Sequence, residues 1–133
     1  MNLEDCSPGS LQENSCEVYL KSIADTFYAI GGKWKLRIIV AMSEGPIRFN
    51  VLQRKLGNIS PRVLSNELKD LELTGLIQRN VMADATPVIA EYQLAAYSSS
   101  LKDLVQAMIR WGIDHREKLK NDHHKQNIKA LEK

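Results

Sequence analysis

The sequence predicts a mainly α-helical domain carrying one small β-hairpin, and three features of the chain lead there. Residues 49 to 75 hold two leucine-backed helical stripes separated by Gly57-Asn58-Ile59-Ser60-Pro61. Residues 76 to 94 switch to two strand-like runs, and both ends of the chain carry amphipathic helical stretches. A tight helical pair followed directly by a hairpin is the pattern of a winged helix-turn-helix.

The first residues, MNLEDCSPGSLQEN, are acidic and polar, unlike a secretory signal, and predict a flexible arm over 1–15. Leu20, Ile23, Ala24, Phe27 and Ile30 then follow helical spacing, giving a helix over 17–30 that Gly31-Gly32 breaks. Residues 34–42, WKLRIIVAM, are apolar apart from Lys35 and Arg37 and predict a mostly buried helix. Gly45-Pro46 is a turn, and 47–49 form a short strand leading into the helical pair.

Phe49, Leu52 and Leu56, at i, i+3 and i+7, line one face of the first helix of that pair. Gly57 is expected to end it in the left-handed conformation, which glycine enters without a Cβ clash. Ser60 is placed as the N-cap of the second helix, with Pro61 at the first helical position, where its missing N–H costs nothing. Leu64, Leu68 and Leu71 back that helix, and Gly75 closes it. Beyond it, LIQRNVM and VIAEYQL are strands joined by residues 83–87, so the wing spans 76–94. The last predicted helix, 97–120, carries Leu101, Leu104, Val105, Met108 and Gly112 on one stripe, with Trp111 beside it. This sets a domain over 16–120, followed by a polar tail at 121–133.

The chemistry lies on the outer side of the second helix. At about 100° per residue, Arg62, Ser65, Asn66 and Lys69 fall together, opposite the leucines. Arginine pairs bidentately with guanine, asparagine gives and accepts a hydrogen bond at an adenine edge, and lysine neutralises phosphate. The same residue types also make an ordinary solvated helix face, so this face alone leaves both readings open.

Charge adds a second argument. Residues 1–32 hold one lysine against five carboxylates, whereas 33–79 hold nine cations against four, a balance of +5. The excess sits on the segment containing the helical pair, as expected for attraction to a polyanion. The wing tip breaks the pattern: no Lys or Arg lies between Arg79 and Lys102, and Asp84 repels phosphate. Arg79, at the wing base, is therefore the expected wing contact. A compact domain has little room to cover both terminal helices, which points to a dimer interface of the standard ~1,600 Å² size. The alternative is that both pack on their own domain.

The chain has 133 residues, enough for one domain, and no run of about 18 apolar residues, so no membrane span is expected. Two cysteines without an export signal point to a cytoplasmic thiol protein. His115, His123 and His124 lack the convergent spacing of metal ligands, and no cofactor is called for. No base has a recognisable spacing to Cys16, and no phosphate-cradling glycine loop is present, so no enzyme is read.

With these elements in place, the chain resembles the HxlR family of winged-helix transcriptional regulators, relatives of the MarR group. The resemblance is carried by Cys16, Ile30-Gly31-Gly32-Lys33-Trp34, Gly45-Pro46-Ile47-Arg48-Phe49 and Leu56-Gly57-Asn58-Ile59-Ser60. Leu68-Lys69-Asp70-Leu71-Glu72, Gly75-Leu76-Ile77-Gln78-Arg79, Glu91-Tyr92-Gln93-Leu94 and Trp111-Gly112 complete it. It implies a homodimer built on the terminal helices, residues 60–74 in the major groove of double-stranded DNA, and a pseudo-palindromic operator. Carried over residue by residue, the DNA contacts are Arg48, Ser60, Pro61, Arg62, Ser65, Asn66, Lys69 and Arg79. The chain departs from the family's usual pattern at Pro87-Val88, at residues 94–98 and at Glu17.

Some members of the family sense electrophiles or oxidants through the cysteine at the Cys16 position. A thiol at a helix N-terminus feels the positive end of the dipole, which favours the reactive thiolate, while Glu17 and its acidic surroundings work against it. The alternative is a small buried residue near the interface. Cys6, in the arm, could resolve an oxidised Cys16, but nothing in the spacing requires it. Set against a DNA-binding regulator stands a protein-interaction module that keeps the fold and has lost DNA binding.

Overall fold

The computed structural model describes residues 13–84 and 86–131. In chain order the elements are α1 (Glu13–Ile30), α2 (Lys35–Ala41), β1 (Ile47–Arg48), α3 (Phe49–Leu56) and α4 (Pro61–Leu73). The hairpin β2 (Ile77–Met82) and β3 (Ile89–Leu94) follows, then a 3₁₀ segment Ala96–Leu101 and α5 (Lys102–Leu131). The expected winged helix-turn-helix is therefore present. α1 begins ahead of the expected Glu17, and the arm before it, Cys6 included, lies outside the described residues.

The chain divides into two compact units, Met1–Ala96 and Tyr97–Lys133. The first unit holds the core. Ile38 and Met42 of the α2 segment, Leu52 of α3, Ile59 of the turn, and Leu64, Leu68 and Leu71 of α4 are buried together with Leu76 and Ile77. The leucine stripe that helical periodicity picked out on α4 is thus removed from water, each side chain contributing roughly 1.5–3 kcal/mol, whereas on α3 only Leu52 of the expected stripe is fully buried and Phe49 and Leu56 are half-buried. The sheet has the order β1-β3-β2, all antiparallel. The short strand at 47–48 pairs with β3, Ile47 opposite Tyr92 and Arg48 opposite Glu91. The wing is therefore a three-stranded sheet, wider than the hairpin expected.

Two glycines set the frame around α4. Gly57 has φ +89° and ψ −109°, which is not the left-handed helical basin expected but a region open to glycine because it lacks Cβ. Gly75, at φ +81°, closes α4 in a Schellman turn: its N–H donates to the Glu72 carbonyl and that of Leu76 to the Leu71 carbonyl. The Ala95 N–H then donates to the Leu76 carbonyl at 2.9 Å, joining the two feet of the hairpin directly behind α4.

In the second unit, α5 runs to Leu131, past the end expected at Lys120, so residues 121–131 of the polar segment are helical. Its later turns bury no apolar face and use local charge instead, as in the Lys118–Asp122 pair at 2.8 Å. Trp111 stacks on His115 one turn later, with ring centroids 4.7 Å apart. Most of the apolar stripe on each terminal helix stays exposed, although Ile30 at the end of α1 is buried and Leu101 and Val105 are half-buried. Phe27 is 69% exposed and Trp111 67%, and Leu20, Ile23, Leu104 and Met108 are also exposed.

Candidate nucleic-acid interface

The second helix of the pair starts where Ser60 and Pro61 dictate. Ser60 keeps an extended backbone, and its Oγ accepts the Val63 N–H at 3.2 Å, satisfying one of the unpaired amides of the first turn. Pro61 occupies the first helical position. The preceding turn is pinned from α3, where Gln53 Nε2 donates to the Ile59 carbonyl at 3.2 Å. With Leu64, Leu68 and Leu71 facing the core, the opposite side of α4 faces solvent.

Arg62, Asn66 and Lys69 are exposed on that side and Ser65 is half-buried. None of the four makes a side-chain hydrogen bond or ion pair among the described residues, so their donors and acceptors stand open to a ligand. The helix brings these four together as its periodicity requires. Leu73, 86% exposed, falls on the same side one turn beyond Lys69 and extends it with an apolar end.

The two wing arginines do not join each other. Residues directly paired across antiparallel strands point to one side of a sheet. Arg48 is in register with Glu91 and Asn80, and Arg79 is in register with Tyr92 and Ile47, so the two guanidiniums leave opposite faces. Both side chains are exposed. Arg79 borders an open groove of about 490 Å³ between the end of α4 and the hairpin base, lined also by Glu72, Gly75, Asn80 and Ala95.

The basic excess of residues 33–79 is partly engaged inside the fold. Lys55 donates to the Ala41 carbonyl at 2.9 Å and to Glu44 at 3.2 Å, tying α3 to the end of α2. Lys35 is ion-paired to Glu67 and Asp70 of α4. Lys33 and Arg37 lie over the Trp34 ring, 5.0 and 5.4 Å from its centroid. Arg48, Arg54, Arg62, Lys69 and Arg79 remain without an ion pair among the described residues.

Arg54 is the member of this set that periodicity held and the sequence reading missed. It lies about 200° around α3 from buried Leu52, facing away from the core on the first helix of the pair. In helix-turn-helix proteins that helix crosses the nucleic-acid backbone. Cys16 is a free thiol, half-buried, at the fourth residue of α1.

Residues 29–120 match the family model for HxlR-like helix-turn-helix proteins. The HTH-type transcriptional regulator BH0655 of Halalkalibacterium halodurans is 37% identical over 100 residues, covering 71% of this chain and 88% of that one. The structure of the redox regulator HypR in its reduced form superposes with a TM-score of 0.70 at 33% identity, covering 75% of this chain and 98% of HypR. The reduced form of the transcriptional regulator YodB from Bacillus subtilis gives a TM-score of 0.62 at 30% identity, covering 68% and 87%. The chain belongs to the HxlR family of helix-turn-helix transcriptional regulators.

Proposed function

We propose that the protein is a sequence-specific DNA-binding regulator that acts as a homodimer, with α4 in the major groove and the β2–β3 wing beside it. The observation that carries this reading is the outer side of α4, where Arg62, Ser65, Asn66 and Lys69 stand without side-chain partners among the described residues, on a helix fixed by a serine cap and a buried leucine stripe. Ser60 and Pro61 set the start of that helix, and Arg48, Arg54 and Arg79 supply phosphate contacts around it. The exposed apolar stripes of α1 and α5 support pairing through the terminal helices, since patches of this kind on soluble chains mark interaction surfaces. A paired helix-turn-helix reads two half-sites about 34 Å apart.

A gel shift over a salt series tests this reading. Affinity for a selected duplex is expected to fall about 10³-fold or more between 50 and 200 mM salt if six or more phosphates are contacted. No shift at any salt would favour the interaction module.

Cys16 is proposed as a thiol switch. Its free thiol on α1 lies on the helix assigned to dimerisation, and the neighbour HypR is a redox regulator. Oxidant or quinone is expected to change duplex binding in the native protein and leave Cys16→Ser unaffected. Equal responses from the two proteins would end the assignment.

A further inference from the structure

The helix assigned to the major groove is not itself basic. α4 carries Arg62 and Lys69 against Glu67, Asp70 and Glu72, a formal balance of −1. Asp70 lies about 80° around the helix from Arg62, beside Asn66 and at the edge of the open face. A carboxylate at that edge opposes the approach of a polyanion.

The compensating cation comes from another helix. Lys35, the first residue of α2, reaches Glu67 Oε2 at 2.8 Å and Asp70 Oδ2 at 3.5 Å. Its side chain is 13% exposed, and that of Asp70 is 59% exposed. The close ion pair with Glu67 holds Lys35 above its ordinary pKa, outweighing the burial that lowers it, so the charge stays in place at neutral pH.

We infer that Lys35 is a masking residue for the reading helix: its ammonium neutralises the Glu67–Asp70 edge of α4, leaving Arg62 and Lys69 to dominate the field met by the phosphate backbone. The inference rests on the reading of α4 as the DNA-binding helix. Two other roles for Lys35 make opposite predictions. Direct phosphate contact requires an accessible side chain, and that of Lys35 is mostly covered. A role confined to holding α4 in place would make the carboxylates helpful, because removing either end of the pair would loosen the helix. Masking makes them harmful.

The probe is a fluorescent duplex enriched from a random-sequence pool by the full-length native chain and titrated by anisotropy over a potassium chloride series. Glu67→Gln with Asp70→Asn is expected to bind it about five- to tenfold more tightly, and Lys35→Met about as much more weakly. The triple variant is expected to regain at least native affinity, which loss of a phosphate contact or of helix placement would not allow. Thermal melts of each variant establish that it is folded. Should Lys35→Met fail to fold, the carboxylate variant decides alone, since it keeps Lys35. Weaker or unchanged binding by that variant overturns the masking role while leaving DNA binding intact. A pool that yields no enriched duplex overturns the DNA-binding reading, and the inference with it.

Discussion

Replacing Arg62 or Asn66 with alanine is expected to weaken binding to the selected duplex by about 1–3 kcal/mol each and to relax base preference at one position of each half-site. The reason lies in the geometry of α4. Both side chains are exposed on a helix whose start and end are fixed, and neither is held by another residue among those described. Truncation therefore removes groups available to base edges without disturbing the core behind them. Lys69→Ala is the internal contrast, because a point charge on phosphate carries no base information. It should lower affinity evenly across sequences and flatten the salt dependence by about one charge. Competition titrations with singly substituted duplexes separate the two patterns. If the Arg62 and Asn66 variants both keep native affinity and base preference, another element reads the sequence.

Leu68→Ala should be the more damaging change to the protein itself, with a loss of about 2–5 kcal/mol. Leu68 is 1% exposed, between Leu64 and Leu71 on the inner side of α4. Truncation leaves a void that the surrounding Ile and Leu side chains fill only in part, since the helix is fixed at both ends. For a domain of this size the Tm is expected to fall on the order of 10 °C. Melts at several protein concentrations separate this effect from dimer dissociation, which depends on concentration. A loss under about 1 kcal/mol would mean that α4 can slide inward and that its docking is softer than its burial implies.

Local signals made the frame legible. Ser60 and Pro61 state a helix start in their own chemistry, and Gly75 states its end. The leucines of α4 repeat at a period that has one explanation, so the open face opposite them followed. What escaped was set by tertiary partners. Lys35, Lys55 and Arg62 look alike in a charge count, yet the first two are drawn into Glu67 and Glu44 by the packing of α2, α3 and α4. Pairing of residues 47–48 with β3 was hidden because a two-residue strand has no periodicity to read. The extension of α5 to Leu131 was missed for the opposite reason: a helix polar on all sides lacks the apolar stripe by which helices are recognised. The alternation of the hairpin was plain, but the divergence of Arg48 and Arg79 needed the register of three strands.

The amide bridge from Ala95 to Leu76, just past the Schellman turn of α4, has a mechanical consequence. Helix, turn and both hairpin feet are fastened within a few residues of one another, with Leu71, Leu76 and Ile77 sealed beneath. Torque applied to the hairpin is passed to the helix without a hinge to absorb it. A reader built this way resists local bending, so any message reaching it moves helix and hairpin together, as a key turns with its bow.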